Sequence, residues 1–378
     1  MNLLFVSHSL PRENDTLGNI GGMQRVAADL HASLVANQRI TTQTLVLRSA
    51  WRDRHVAVPL FITRSLALIP RIVKREKIDV VLFSSMVTAV VAAPLRRVFD
   101  RNGVVVAAIA YGLDVTTQAW PYPRVVPRTF NALDAVFPIS SATAAACRDR
   151  GLRAEKSHVI PLGIRSDRFA AGKDRRTARR EVLAKRSAPE AAEPGFIIAS
   201  VGRLVPRKGI AWFVENVMPL LPDDVHYFVA GDGPERARIE RAITESGVGG
   251  RANLLGAVSE SDLETVYRGA DLFVMPNIAV PGDIEGFGLV LLEAGLCGLP
   301  VVAARLEGIE DVVREGENGN LVTSGKAEEF RDAILRYYSN PDELSAASAR
   351  ASELVANEFS WEAVTERYID ALMQIRDR

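Results

Sequence analysis

Cysteine is nearly missing from this 378-residue chain, which holds only Cys147 and Cys297. Two distant cysteines exclude a disulfide-built scaffold and a cysteine zinc site, and they suit a reducing compartment. Net charge is missing too: 46 basic side chains balance 46 acidic ones. A dedicated nucleic-acid binder carries a cationic surplus, so no nucleic-acid partner is expected. Neither a Gly-x-Gly-x-x-Gly dinucleotide fingerprint nor a Walker sequence occurs, which argues against an NAD-dependent dehydrogenase and a P-loop enzyme. Apolar runs such as residues 87–95 and 104–110 are about half the length of a transmembrane helix, so no membrane span is expected. Residues 1–7 are short and uncharged, and read as a first strand rather than a leader.

What is present is ordinary globular composition, 48% hydrophobic and 24% charged. That excludes disorder and a fibrous architecture, and the length fits two domains. The neutral total hides an asymmetry. Residues 1–165 hold 21 basic and 11 acidic side chains, and the remainder holds 25 and 35. A basic first half suits an anionic counterpart, such as a membrane surface or a phosphorylated acceptor, or simple attraction between the halves.

Short apolar runs lie at residues 3–7, 44–47, 78–83, 104–109, 135–139 and 158–160. A second set follows at 196–201, 226–230, 252–255, 272–275, 300–303 and 320–323. They are continuous rather than alternating, the mark of parallel strands covered on both faces. Helical patterns separate nearly all of them, for example residues 23–35 and 208–218. The fold class expected is therefore α/β, with two doubly wound parallel-sheet domains. The boundaries fall at 1–164 and 165–360, with a hinge near Gly163 and a polar, arginine-rich join at 172–186. Residues 361–378 form a last helix that braces a domain or crosses back to the first one, with Val364, Tyr368, Leu372 and Ile375 on one face.

Ligands of open parallel sheets bind beyond the carboxyl ends of the strands, where helix N-termini present free N–H groups. Three stretches meet that condition. After the 196–201 run come Gly202, Arg203, Arg207, Lys208 and Gly209, which place three cations just before a helix. Positive charge there opposes the helix dipole, so an anionic ligand is the natural compensation, with Arg203 a fork for phosphate and Lys208 a point charge. A second stretch carries Glu285, Gly286, Phe287, Gly288 and Glu293, followed by Gly295 and Pro300. Glu293 sits among Leu289, Val290, Leu291, Leu292, Ala294 and Leu296, in a helix apolar all round and with no basic neighbour in sequence. A carboxylate so placed needs a partner, and ribose hydroxyls would supply two donors. Eight residues at the helical rise would set the two glutamates ~12 Å apart, about the reach from a ribose across a diphosphate to a sugar. The third stretch, Gly21-Gly22-Met23, resembles a phosphate loop at a helix start, though paired glycines are often only a turn.

In order and spacing the chain resembles the retaining glycosyltransferases of family 4, whose GT-B fold faces two Rossmann-like domains across a cleft. The resemblance rests on the Gly21-Gly22 loop, residues 137–141, Pro161-Leu-Gly163-Ile, Gly202-Arg203 with Lys208-Gly209, and Ala230-Gly231-Asp232-Gly233-Pro234. It continues through Leu255-Gly256, the E-x7-E pair Glu285 and Glu293, and Gly316-Glu-Asn-Gly319. It implies an acceptor-binding first domain and a donor-binding second one. Arg203 and Lys208 would hold the donor diphosphate, Glu285 would contact the donor sugar and Glu293 the ribose. Backbone around Gly286, Phe287 and Gly288 would support sugar and phosphate, and Gly21 and Gly22 would meet the diphosphate from the other domain. Family members work without a bound metal, and no Asp-x-Asp pair occurs here, so neither metal nor cofactor is expected and the nucleotide sugar is a substrate. One departure stands out. Where the family often shows His-Gly, this chain reads Ala110-Tyr111-Gly112-Leu113-Asp114. A tyrosine donates a hydrogen bond but carries no positive charge, so Tyr111 and Asp114 become acceptor-side candidates, with His8 the nearest other imidazole.

The resemblance thus implies transfer of a hexose from a UDP- or GDP-linked donor to a hydroxyl of a glycan, lipid-linked or phosphorylated acceptor. A nucleotide-sugar epimerase or an inactive sugar-nucleotide-binding subunit of the same fold is the alternative. A cytoplasmic location is expected, at the inner face of an anionic membrane that Arg96, Arg97, Arg101, Arg124 and Arg128 would meet.

Overall fold

Leu3, Leu4, Phe5 and Val6 are all buried, so the first strand is enclosed on both of its faces, as a continuous apolar run requires. The computed structural model describes residues 1–10, 22–48, 54–118, 122–169, 172–186 and 194–378. They divide into two units, Met1–Arg165 with Ser360–Arg378, and Ser166–Phe359.

The first unit is built on a parallel sheet of β1 (Asn2–Leu10), β2 (Thr41–Arg48), β3 (Val80–Phe83), β4 (Val105–Ala110) and β5 (Ala135–Pro138), in the order β2-β1-β3-β4-β5. Leu3 pairs with Thr42 on one side and with Val80 on the other. The second unit carries β6 (Phe196–Val201), β7 (Val225–Ala230), β8 (Ala252–Gly256), β9 (Leu272–Met275), β10 (Val301–Arg305) and β11 (Gly319–Thr323), in the order β11-β10-β9-β6-β7-β8. Every pairing between named strands is parallel. In each sheet the strand order reverses beside the first strand, between β1 and β3 and between β6 and β9. Those are the switch points where an α/β sheet opens a crevice beyond its carboxyl edge.

Two expectations need correction, and one long helix is added to them. Residues 158–160 make no strand: the His158 and Ile160 N–H groups bond to the Val136 and Pro138 carbonyls at 3.0 Å each, but Pro138 has no N–H to donate to the His158 carbonyl in return, so the ladder stops at one bridge, Val136 with Ser157. The arginine-rich join is a helix of the second unit, Arg175–Leu183, because Asp174 caps the Thr177 N–H and Ala178 and Val182 bury one face. Its Arg179 reaches Asp271 at 2.7 Å. Lastly, the helix Arg54–Arg75 is long and apolar enough to cross a membrane by length and composition alone. Reading apolar runs one at a time missed it, because Thr63, Arg64 and Ser65 divide the segment. Phe61, Ser65, Ile69 and Val73 form its buried stripe in the first unit.

The cations expected to form a membrane-facing patch do not all face outward. Arg96 is drawn in by Asp134 at 2.9 Å and Asp100 at 2.6 Å, whereas Arg97, Arg101, Arg124 and Arg128 are exposed.

The last helix, Trp361–Arg376, packs in the first unit. The Trp361 N–H bonds to the Ile164 carbonyl at 3.2 Å, and its indole lies over Gly163, where a Cβ would come within 2.7 Å of the ring. Ser33 donates to the Trp361 carbonyl at 3.1 Å, and Tyr368 meets Phe137 edge-to-face at 5.2 Å. Trp361→Ala is expected to cost about 3–5 kcal/mol of first-unit stability, read from urea unfolding, because the fully buried indole leaves a cavity the backbone at Gly163 cannot fill.

Candidate functional site

The chain leaves β6 through Gly202 and turns through a single 3-10 turn, Pro206–Lys208, into the helix Ile210–Asn216. Gly209 joins them at φ 64°, with the Pro276 carbonyl oxygen only 1.9 Å from where a Cβ would stand. No other residue takes both that conformation and that approach, and it brings the β6 loop against the loop that follows β9. Across this contact Lys208 Nζ donates to Glu285 Oε2 at 2.6 Å. Asn277 Nδ2 donates to the same oxygen at 3.0 Å, and Arg207 Nε lies 3.5 Å from it. Burial pushes the Glu285 carboxyl up, but Lys208 and Arg207 together outweigh it and hold the pKa below the usual 4.5. Two buried atoms here lack a hydrogen-bond partner, Arg207 Nε and Asn277 Oδ1.

Glu285 is also gripped through its backbone. Glu307 accepts its N–H in a short hydrogen bond, and the Gly308 N–H donates to its carbonyl at 3.1 Å. Glu307 adopts φ 53°, one of two non-glycine residues at positive φ among those described. That conformation costs about 1–2 kcal/mol, which these bonds oppose. Burial, with Glu285 and Asp283 nearby, raises the Glu307 carboxyl.

Eight residues further, Glu293 is buried in the helix Leu289–Leu296, which Gly288 caps at φ 85°. Its two oxygens are taken. Arg168 donates to Oε1 at 2.5 Å and the Tyr267 hydroxyl to Oε2 at 2.8 Å, while Glu260 lies 3.3 Å from Arg168 Nε. Burial, then Glu293, pushes the Tyr267 phenol well above its ordinary pKa. A carboxylate without a basic neighbour in sequence has therefore found one in space, and the need for a partner does not by itself call for ribose. The helical rise does not set the spacing of the two glutamates, because only residues 289–296 are helical and 285–288 are loop. Gly286 and the buried Phe287 lie in that loop, with Phe287 tilted against Phe359 at 6.5 Å. Arg203 is exposed and makes no ion pair among the described residues.

In the first unit Tyr111 follows β4. Its hydroxyl is buried without a hydrogen-bond partner, and burial raises its pKa. Asp114 turns back, accepting the Tyr111 N–H at 2.8 Å and the Met86 N–H at 3.0 Å. Both carboxylate oxygens thus hold the loops after β3 and β4 together, a supporting position. Burial lifts the Asp114 pKa from 3.8 to about 6 against those bonds. His8, buried at the end of β1, has Ser85 Oγ 3.4 Å from Nδ1. Gly22 opens the helix Gly22–Ala36, and Gly21 lies outside the described residues.

Of the residues expected to act, Lys208 and Glu285 are brought into contact, and Glu293 heads a second cluster. Sequence reasoning missed Arg168, Tyr267, Asn277 and Glu307. Arg168 precedes Glu293 by 125 residues, and no local spacing marks it. The positive φ of Glu307 is equally invisible in a string of letters.

Two Rossmann-like parallel sheets in one chain, with polar residues gathered at the switch point of the second, are the architecture of the GT-B fold. Residues 20–168 match the family model described as Glycosyltransferase Family 4, and residues 183–354 match that of Glycosyl transferases group 1. The chain belongs to the family 4 glycosyltransferases. It is similar to a lipopolysaccharide core biosynthesis glycosyltransferase of Rhizobium meliloti, 34% identical over 176 residues, 47% of this chain and 49% of the relative. The chain therefore spans about half the length of that relative. It is also similar to a GDP-mannose-dependent alpha-(1-6)-phosphatidylinositol monomannoside mannosyltransferase of Mycolicibacterium smegmatis, 26% identical over 81% of this chain and 79% of that one. Among solved structures, Anabaena HepE in complex with UDP superposes with a TM-score of 0.71 at 20% identity, covering 99% of this chain and 100% of HepE. The catalytic domain of Arabidopsis thaliana starch synthase IV bound to ADP and acarbose gives 0.74 at 13%, covering 100% and 99%.

Two tests follow from this geometry. Arg168→Met leaves Glu293 buried beside Tyr267 alone and is expected to cost about 3–5 kcal/mol, most of it recovered in Arg168→Met/Glu293→Gln, by urea unfolding. Asp114 has a folded pKa above its unfolded one, so its contribution to stability is full below pH 3.8 and is lost as pH rises through about 6. Asp114→Asn removes that dependence. The stability of wild type relative to this variant should therefore fall between those pH values, and a flat difference would contradict the assignment.

Proposed function

We propose that this chain is a retaining glycosyltransferase that moves a hexose from a UDP- or GDP-linked donor to a hydroxyl of a glycan, lipid-linked or phosphorylated acceptor, without a bound metal. The observation that carries the proposal is the buried Lys208–Glu285 pair between the β6 and β9 loops, with Arg203 exposed beside it. A cation already at the carboxyl edge of a parallel sheet suits a diphosphate, and the names of the relatives, GDP-mannose-dependent in one case and UDP-bound in another, agree with that ligand class.

In this reading the donor diphosphate takes Lys208 and Arg203, and Glu285, still held through its backbone by Glu307 and Gly308, turns its freed carboxylate to sugar hydroxyls. Glu293 accepts from ribose hydroxyls in exchange for one of its present donors. Backbone N–H groups of Phe287 and Gly288, at the N-terminus of the helix Leu289–Leu296, face the sugar and phosphate. Tyr111, whose hydroxyl has no partner, donates on the acceptor side. The bond from the anomeric carbon to the phosphate oxygen breaks as the acceptor oxygen adds to the same face. The acceptor proton passes to the departing phosphate oxygen, so glycoside and nucleoside diphosphate are the products. Lys208 and Arg203 stabilise the charge that grows on that leaving group in a water-poor site. A cytoplasmic location, at the inner face of the membrane, completes the reading.

Thermal unfolding with UDP, GDP, ADP and NAD tests this. UDP or GDP at ~100 times its dissociation constant should stabilise the chain by about 2.7 kcal/mol, and Lys208→Ala should remove most of that. Turnover of the matching hexose donor should persist in EDTA and yield a product that keeps the donor's anomeric configuration. A shift with NAD alone, or an inverted product, would overturn the proposal.

A further inference from the structure

The helix Arg54–Arg75 presents a surface that water does not explain. Its inward stripe, Phe61, Ser65, Ile69 and Val73, recurs every fourth residue and is buried. The opposite face should then be polar. Instead Val56 is 76% exposed, Leu60 48%, and Leu66 and Leu68 37% each, four of the nine large hydrophobic side chains exposed among the described residues. The charges on this helix beyond Arg54 are Arg64, Arg71, Lys74 and Arg75, all exposed, and none is acidic. Arg75 pairs with Glu76 at 2.6 Å, whereas no ion pair to Arg64, Arg71 or Lys74 occurs among the described residues.

We propose that the outward face of this helix docks the protein on an anionic lipid bilayer. At 100° per residue, Val56, Leu60 and Ala67 point away from the buried stripe, Leu66 and Leu68 flank them, and Arg71 and Lys74 continue the same outward ridge. A helix that carries apolar side chains and cations on one exposed face lies in the headgroup layer, with the apolar groups below and the ammonium and guanidinium groups among phosphates. The single sign of charge selects an anionic surface over a neutral one and over a protein partner of mixed charge. Insertion across the bilayer is ruled out by the inward stripe, which packs into the first unit and would have to be torn from it. The basic excess of residues 1–165 adds attraction at longer range. This places the contact on the helix Arg54–Arg75 rather than around Arg96, whose guanidinium Asp100 and Asp134 already hold. The surface is independent of the transfer chemistry, since docking needs no donor.

The test is co-sedimentation of the full chain with vesicles of phosphatidylcholine alone or mixed with phosphatidylglycerol, without nucleotide. Wild type should bind the mixed vesicles, weakly or not at all the neutral ones, and less at high salt. Arg64→Glu/Arg71→Glu/Lys74→Glu should weaken binding roughly a hundredfold. Val56→Ser/Leu60→Ser should weaken it roughly tenfold and leave a residue of binding that salt abolishes. All these side chains are exposed, so both variants should keep the wild-type unfolding midpoint. Equal binding to both vesicle types, or variants that bind like wild type, overturns the proposal. So does a self-association, seen by light scattering, that Val56→Ser/Leu60→Ser abolishes while no vesicle binding occurs. The nucleotide-induced shift run on the same variants separates the two readings: vesicle binding without any shift leaves this surface standing and removes the transferase, and the reverse result does the opposite.

Discussion

A carboxylate enclosed by apolar side chains must meet a cation or take up a proton, and the second unit contains two of them, Glu285 and Glu293. Their answers come from far away in sequence: Lys208 from the loop after β6, and Arg168 from the start of the unit. Each pair ties a different segment to the region between β9 and the helix Leu289–Leu296. The loops that form the candidate site are therefore held by charge neutralisation as much as by packing. Breaking either pair would leave a buried ion exposed to an apolar environment, a cost larger than the pair's own net worth.

The two pairs differ in what surrounds them. Arg168 and Tyr267 satisfy both oxygens of Glu293. Around Glu285 the satisfaction is incomplete: Asn277 keeps its buried side-chain Oδ1 without a donor, and Arg207 Nε, 3.5 Å from Glu285 Oε2, makes no hydrogen bond. Unmet polar groups beside a buried ion pair are costly in a folded protein, and a polar ligand rich in donors and acceptors would relieve them. The backbone grip of Glu307 and Gly308 on Glu285 means that its carboxylate would exchange partners without the loop itself having to refold.

The first unit solves a related problem differently. Among the described residues Asp114 has no cation partner at hydrogen-bonding distance; backbone N–H groups of Tyr111 and Met86 hold it, and burial raises its pKa to about 6. Its role is to lock the loops after β3 and β4, and that leaves Tyr111, with its unpartnered hydroxyl, as the polar group there with bonding capacity to spare. On the outside of the same unit, the helix Arg54–Arg75 sets apolar side chains and cations together, which couples the fold of the domain to whatever surface it meets.

Parallel strands buried on both faces announce themselves as continuous apolar runs, and eleven of the twelve runs found in the sequence are strands. The doubly wound class, the two-unit division of the chain and the motif order of the glycosyltransferase family were legible for that reason, because each depends on local composition and short spacing. The exception, residues 158–160, fails where Pro138, on the neighbouring strand, lacks a donor that only the ladder would reveal. What the sequence by itself determined was which residues had to be enclosed and which glycines, Gly209 and Gly288 among them, had to turn. Tertiary structure alone decided who neutralises whom. Arg168 with Glu293, Lys208 with Glu285, and Glu307 on the Glu285 backbone are contacts across 125, 77 and 22 residues. Helical and strand periodicities reach only a few residues, whereas electrostatic pairing acts through space and is settled only once the sheet has brought its loops together.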